Sequence, residues 1–428
     1  MFDPLVTKML QRAFAPLVKT GQLDVVLPWG KMLSFGDGGQ PQARIRFTDR
    51  RAVFHLLRDP DLNFGEMFMQ ERLVVDQGSV YDVLELVLRH AKQVPDSKAV
   101  QILDAWRMKL RPVLQNNMRS KSRANVAHHY DLDDRLYALF LDDDRQYSCA
   151  YFEQGDEDLE TAQLAKKRHI AAKLLVEPGH RVLDIGCGWG GMARYLAEVA
   201  QAGHVKGVTL SKEQLEVATQ RAAETGVPER LEYKLEDYRD TQGPFERIVS
   251  VGMFEHVGTR YHDAFFKQCH HLLSDDGVML LHFIGNLETP DFNNPWIERY
   301  IFPGGHIPAM SEFTAAIERS GLIMTDIEVL RLHYARTLRL WRERFLARRD
   351  EAKALYDERF CKMWEFYLSM SETAFRYQDI AIFQIQLARK QESVPLTRDY
   401  IGPRRETLKA RERLSPRYAH RVDQTAHL

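Results

Sequence analysis

The stretch "HRVLDIGCGWGG", His180 to Gly191, constrains the fold of this chain more than any other. Val182 to Ile185 read as a buried strand. Gly186, Gly188, Gly190 and Gly191 then let the backbone turn sharply and approach a ligand with no Cβ in the way. "MARYLAEVA" continues as a helix. The same alternation repeats downstream: "HVKGVTLS" (strand), "KEQLEVATQRAAETG" (helix), "LEYKLEDYRD" (strand), "FERIVSVGMFEHVG" (strand), "YHDAFFKQCHHLLSDDG" (helix) and "VMLLHFIG" (strand). Such alternation requires parallel strands joined by crossover helices, so the fold is α/β and doubly wound. In these sheets ligands bind beyond the carboxyl ends of the strands. That places Asp184 to Gly191, Thr209, Asp237, Glu255 and His282 on one rim.

With 428 residues the chain has room for two domains. Residues 1–90 read as a smaller N-terminal α+β block. It opens with an apolar helical pattern (Met9, Leu10, Phe14, Leu17), continues through the strand-like runs "GQLDVVLP" and "ARIRFTD", and closes with the amphipathic "SVYDVLELVLRHA". Residues 91–125 read as a basic linker, 126–395 as the α/β domain and 396–428 as a basic tail. The linker carries Arg107, Lys109, Arg111, Arg119, Lys121 and Arg123 with no acid between Ala105 and Ala127. Clustered cations of this kind are usually a solvated face. Beside anionic lipid headgroups each contributes about 1 kcal/mol of attraction.

The formal net charge of −1 supplies no field for nucleic acid. Cys149, Cys187, Cys269 and Cys361 are far apart, which argues against a zinc site or disulfide framework and fits a reducing cytosol. No metal is expected. No apolar run is long enough to span a bilayer, and "MFDPLVTKML" lacks the apolar core of a signal peptide.

The Asp184-x-Gly186-x-Gly188 spacing resembles the first motif of class I S-adenosylmethionine-dependent methyltransferases. The second strand ends "GVTLS" with no acid at its tip, where many of those enzymes hold the ribose. This departure fits one family. The chain resembles cyclopropane-fatty-acyl-phospholipid synthases and mycolic acid methyltransferases, over roughly residues 125–390. The motifs "YSCAYF", "LDIGCGWGG", "GVTLS", "FEHVG", "LHFIG", "PGGHIP" and "HYARTL" carry the resemblance, in the expected order. It implies a mostly parallel, seven-stranded, Rossmann-like sheet. It also implies an S-adenosylmethionine site from Tyr147, Ser148, Asp184, Gly186, Gly188, Thr209, Gln214, Glu236 and Asp237, with Thr209 and Gln214 serving the ribose.

The resemblance further implies a substrate and a base. The substrate is the cis double bond of an unsaturated acyl chain in a membrane phospholipid. The alkene attacks the sulfonium methyl and leaves a carbocation, and a bound bicarbonate removes a proton so that a cyclopropane closes. Glu255, His282, Tyr334 and Cys149 stand where that anion is held. Ser371, in "FYLSMSETAFR", replaces a cysteine common in the family. Loss of a different proton, or reduction, would give a methylene- or methyl-branched chain. A small-amine N-methyltransferase and a catalytically dead lipid-binding protein are further alternatives. The chemistry of a cation calls for negative potential and a dry wall, for which Phe254, Phe283, Trp296, Tyr300 and Phe302 are candidates or, equally, core. His256 reads as support for the loop or cofactor. Peripheral attachment to the inner face of a membrane, a cytoplasmic location and a homodimer are expected from the same resemblance.

Overall fold

The computed structural model describes residues 3–94, 101, 105–109 and 133–422. The chain divides into two compact units. One comprises Met1–Leu114, Asp291–Pro303 and Leu338–Ile380; the other comprises Gln115–Pro290, Gly304–Thr337 and Ala381–Leu428.

The first unit starts with helix α1 (Asp3–Phe14), strands β1 (Gln22–Val26), β2 (Met32–Gly36) and β3 (Gln42–Phe47), helices α2 (Arg50–Arg58) and α3 (Pro60–Met69), strand β4 (Leu73–Gln77) and helix α4 (Val80–Leu88). Its sheet runs β2-β1-β3-β4, with β1 and β3 parallel and the outer pairs antiparallel. Strand β3 alternates inward Ala43, Ile45 and Phe47 with outward polar residues, the period-two pattern of a half-buried strand. Helix α1 buries Leu10 and Phe14 as the sequence pattern expects, together with Val6, while Met9 of that pattern is exposed. Helix α4 begins with a capping box in which Ser79 and Asp82 each bond the other's backbone N–H.

The second unit runs through α5 (Asp134–Phe140), α6 (Leu159–Lys173), β5 (Arg181–Ile185), α7 (Gly191–Glu198), β6 (His204–Thr209), α8 (Lys212–Ala223), β7 (Leu231–Leu235), β8 (Phe245–Val251), α9 (His262–Leu272) and β9 (Leu273–Asn286). The chain then enters the first unit at α10 (Pro295–Tyr300) and returns for α11 (Met310–Glu318) and β10 (Ile323–Val329). Helix α12 (His333–Ala347) is divided between the units at Thr337. Helices α13 (Arg349–Leu355) and α14 (Glu358–Tyr377) belong to the first unit. Strand β11 (Ile380–Ala388) and helices α15 (Ile401–Leu414) and α16 (Ala419–Val422) complete the second.

The seven-stranded sheet has the order β10-β11-β9-β8-β5-β6-β7. The run from β9 to β7 is parallel, and β10 pairs antiparallel with β11. Both faces are covered. Val182, Val249 and Leu280 join one apolar cluster, while their neighbours Leu183, Ile248 and Leu281 join another. This double burial explains why the central strands read as apolar runs. The mostly parallel, doubly wound sheet and the smaller N-terminal α+β unit are as expected.

Two boundaries differ from the sequence reading. Residues 291–303 and 338–380 group with the N-terminal unit rather than with a continuous 126–395 domain. Aromatic packing accounts for this: Phe366 lies 4.7 Å from Trp296 and 5.8 Å from Phe64, ring centre to ring centre. The basic C-terminal segment, read as a tail, folds as α15 and α16, with Ile401, Leu408, Tyr418 and Val422 in the core. Its cations are spent on internal acids: Arg404 on Glu177, Arg405 on Glu153, Arg421 on Asp143. In the linker, Arg107 pairs with Asp59 at 2.6 Å. Arg111, Arg119, Lys121 and Arg123 lie outside the described residues. Among the described residues no helix is long and apolar enough to cross a membrane.

Candidate active site

One cavity opens beyond the carboxyl ends of β5 to β8, and all nine residues expected at the cofactor site line it: Tyr147, Ser148, Asp184, Gly186, Gly188, Thr209, Gln214, Glu236 and Asp237. The turn after β5 makes this possible. Gly186, Gly188 and Gly190 all have positive φ (79°, 53° and 78°), a region that side chains with a Cβ resist. A Cβ on Gly188 would meet no protein atom within 4 Å, so the turn presents bare backbone to open space. Gly191 serves a different purpose. The side chains of Asp144 and Gln146 lie where its Cβ would be, so glycine lets the 144–148 segment close over the start of α7.

Asp184 is 1% exposed, and its Oδ2 is buried with no hydrogen-bond partner. Burial pushes its pKa up to about 7. At the tip of β6 the Thr209 hydroxyl donates to Gln214 Oε1 (3.0 Å), which leaves the amide nitrogen as a donor for the cavity. Glu236 and Asp237 line the wall but are anchored, to Lys206 (2.8 Å) and Arg239 (2.8 Å) respectively. His256 also lines the cavity, and burial holds it near pKa 4, neutral at pH 7.

The second constellation, Glu255 and His282, stands after β8 and on β9; neither residue is among those lining the cavity, whereas their neighbours Val251, Gly252 and His256 are. Glu255 sits on a single 3₁₀ turn, Phe254–His256, directly after that strand. Its Oε1 accepts the Ile284 N–H (2.7 Å) from the end of β9, and its Oε2 is buried without a partner. Burial raises its pKa to about 7. His282 lies two residues earlier on β9, opposite Val251 of β8, and is 1% exposed. Its tautomer follows from a relay. Lys173 donates to Gln384 Oε1 (3.3 Å), so the Gln384 amide nitrogen must donate to His282 Nδ1 (3.2 Å). The imidazole therefore carries its proton on Nε2, an atom that is buried and unpartnered. Burial first, then the positive Lys166 and Lys173, keep the ring well below its usual pKa and neutral.

Cys149 and Tyr334 are brought together by a different route. The "YSCAYF" segment is fastened to the start of α12 by Ala150 N–H on Thr337 (3.1 Å), Phe152 N–H on His333 Nδ1 (3.0 Å), and Tyr151 stacked on His333 at 4.9 Å. Tyr334 is buried on that turn. Cys149 is fully buried, with its thiol turned onto the Ala150 carbonyl (3.2 Å) and its pKa raised by burial. Neither lines the cavity. Ser371 is half-buried on α14 of the first unit.

Of the proposed wall, Phe254 and Phe283 are core: they stack edge-on at 5.0 Å within a cluster that includes Phe265, Phe266 and Phe313. Trp296, Tyr300 and Phe302 belong to the first unit, where Tyr300 donates to Glu66 (2.9 Å).

Sequence reasoning missed Gln146, Lys166 and Gln384. A signal existed for two of them. "KKRH" (Lys166 to His169) puts four basic residues on successive positions of α6, a helix with no solvated face, and all four are buried. Gln384 and Gln386 interrupt the otherwise apolar β11 at alternate positions. Buried polar residues at such positions need partners.

The family model for mycolic acid cyclopropane synthetase matches residues 117–385, and a domain of unknown function (DUF7884) matches residues 6–99. The cyclopropane-fatty-acyl-phospholipid synthase of Escherichia coli (strain K12) is 43% identical over 279 residues, which cover 65% of this chain and 71% of that protein. The tuberculostearic acid methyltransferase UfaA1 of Mycobacterium tuberculosis is 38% identical, over 65% of this chain and 68% of that one. Among solved structures, mycolic acid cyclopropane synthase CmaA1, complexed with SAH and CTAB, aligns with a TM-score of 0.59 at 36% identity, over 62% of this chain and 98% of its own. The match spans the sheet, the glycine turn and both constellations, and the chain belongs to the mycolic acid cyclopropane synthetase family.

Proposed function

We propose that this chain is an S-adenosylmethionine-dependent cyclopropane-fatty-acyl-phospholipid synthase, with a bound bicarbonate as its base. The observation that carries the reading is the pair of orphaned polar atoms, Glu255 Oε2 and His282 Nε2, at the ends of adjoining strands beside the cavity. Buried polar atoms without partners are costly and ask for a ligand.

The residues present fit the cofactor. Asp184 has an unused carboxylate oxygen for an ammonium, Thr209 and Gln214 offer hydroxyl and amide to a diol, and Gly188 leaves room. S-adenosylmethionine supplies an electrophilic methyl when bound. Membrane phospholipids with unsaturated acyl chains supply the alkene, whose π electrons form the new carbon–carbon bond and leave a cation on the chain. Removal of one proton from the added methyl closes the ring.

The residues also fit a small anion. Neutral His282 donates through Nε2. Glu255, with its pKa raised to about 7, is protonated in a large fraction at neutral pH and can donate through Oε2. In this reading these two donors hold bicarbonate, whose remaining oxygen supplies the base. Tyr334 and Cys149 belong to the same assembly, Tyr334 as a donor and Cys149 as part of the segment that Ala150 and Phe152 fasten to α12. The protein acts at the cytoplasmic face of the membrane and pairs as a homodimer.

Purified protein incubated with S-adenosylmethionine and vesicles of monounsaturated phospholipid should release one S-adenosylhomocysteine per double bond lost. Release without loss of the double bond would point to a nitrogen or oxygen acceptor and overturn the reading.

A further inference from the structure

Lys166 is fully buried on α6, and its ammonium makes two hydrogen bonds, both to neutral groups: Gln146 Oε1 (2.6 Å) and Ser148 Oγ (2.8 Å). Those two residues line the cofactor cavity; Lys166 stands directly behind them. A buried charge is normally paired with an opposite one. Among the described residues, the carboxylates around Lys166 bond to other groups or to none. Asp144 takes Lys167 (2.6 Å) and Arg194. Asp142 accepts the backbone N–H groups of Gln146 (2.7 Å) and Asp144 (3.2 Å). Asp184 lies on the cavity wall with Oδ2 unused. Lys166 therefore meets the cavity through the two neutral side chains it bonds, Gln146 and Ser148, with Asp142 behind it and Asp184 on the cavity wall as the nearby negative groups.

The position along the rim says which end of a ligand meets this charge. Ser148 packs 3.9 Å from where a Cβ of Gly252 would be, at the end of β8. The hydroxyl–amide pair Thr209 and Gln214 is at the end of β6, two strands away in the order β8-β5-β6. Neighbouring strands are about 4.8 Å apart, so the two features face opposite ends of an elongated molecule. Between them lies Asp184.

We propose that Lys166 is a positioning residue that makes the β8 end of the cavity selective for a carboxylate, so that Lys166 and Asp184 together read the zwitterionic amino-acid end of S-adenosylmethionine. The proposal rests on the cofactor reading given above. Lys166 orients Ser148 and Gln146 as donors toward the carboxylate, and its charge adds to theirs across a medium of low polarity. Burial lowers its pKa to about 8, which still leaves it protonated at pH 7.

The test compares two ligands that differ only in the carboxylate. Binding of S-adenosylmethionine and of decarboxylated S-adenosylmethionine is measured by calorimetry at pH 7, for the wild-type protein and for Lys166→Gln. The wild type should prefer the carboxylated ligand by about tenfold or more. In Lys166→Gln, which keeps a hydrogen-bond donor and loses the charge, most of that preference should vanish while affinity for the decarboxylated ligand holds or rises. Equal weakening toward both ligands would show a purely structural lysine and overturn the proposal. So would a wild type that does not discriminate, an outcome that needs no variant to fold. A wild type that binds neither ligand would remove the cofactor reading itself, and the proposal with it.

Discussion

In the proposed reaction Glu255 is the residue on which the chemistry turns, and its environment sets two expectations. Its pKa is raised from an ordinary carboxyl value to about 7 because burial penalises the ionised form. The folded protein therefore holds this proton more tightly than the unfolded chain. The associated stability is fully present below about pH 4.5, is lost as pH rises toward 7, and is flat above. Glu255→Gln removes that penalty. The variant should match wild type in denaturant melts at pH 4.5 and exceed it by roughly 1–3 kcal/mol at pH 8. Its turnover should fall roughly 100-fold or more while S-adenosylmethionine binding is kept. Unchanged turnover would show that the carboxyl is not part of the base assembly. The same protonation predicts that bicarbonate stimulates turnover in carbon-dioxide-free buffer, and that the concentration required rises once pH passes 7. Motif position alone singled out Glu255 and His282. The proton on His282 Nε2 was not legible in the sequence, because it depends on Gln384, about a hundred residues away, being oriented by Lys173.

Among the elements, the glycine turn and the 144–148 segment behave as one unit. Gly191→Ala would drive a methyl group into Asp144 and Gln146. It should weaken cofactor binding by about tenfold or more and lower stability by about 1–3 kcal/mol. Retained affinity would mean that the segment is not needed to close the cavity. The central strands were readable because double burial makes them apolar throughout, and the turn because glycine has no substitute at positive φ. Helix α6 was hard to read for the opposite reason. Its buried polar residues are satisfied by partners far along the chain: Arg168 by Glu412, His169 by Glu328 at 2.7 Å. No local pattern carries that information.

For the molecule as a whole, the C-terminal helices matter more than their composition suggests. Glu412 of α15 is fully buried, takes Arg168 bidentately (2.7 and 3.0 Å), and accepts from the Tyr195 hydroxyl (2.6 Å). Breaking such a pair leaves an uncompensated buried charge. Glu412→Ala should cost about 3–5 kcal/mol in urea unfolding, and no measurable loss would show that α15 is only loosely held. A run rich in Arg looked like a solvated tail because charge along a sequence does not disclose where its counter-ions fold. The division into two units was hidden likewise: the aromatics of α10 and α14 read as part of the α/β domain, and only their packing assigns them to the N-terminal unit.

The central claim is that this molecule builds a cyclopropane on an unsaturated acyl chain. The most direct measurement is proton NMR of fatty esters from a host that makes monounsaturated phospholipids, lacks its own synthase and expresses this chain. Cyclopropane ring protons, far upfield, should appear as olefinic signals decline. Vinylidene protons downfield, or a new methyl branch with no ring signal, would contradict the account and place this protein among the branching methyltransferases.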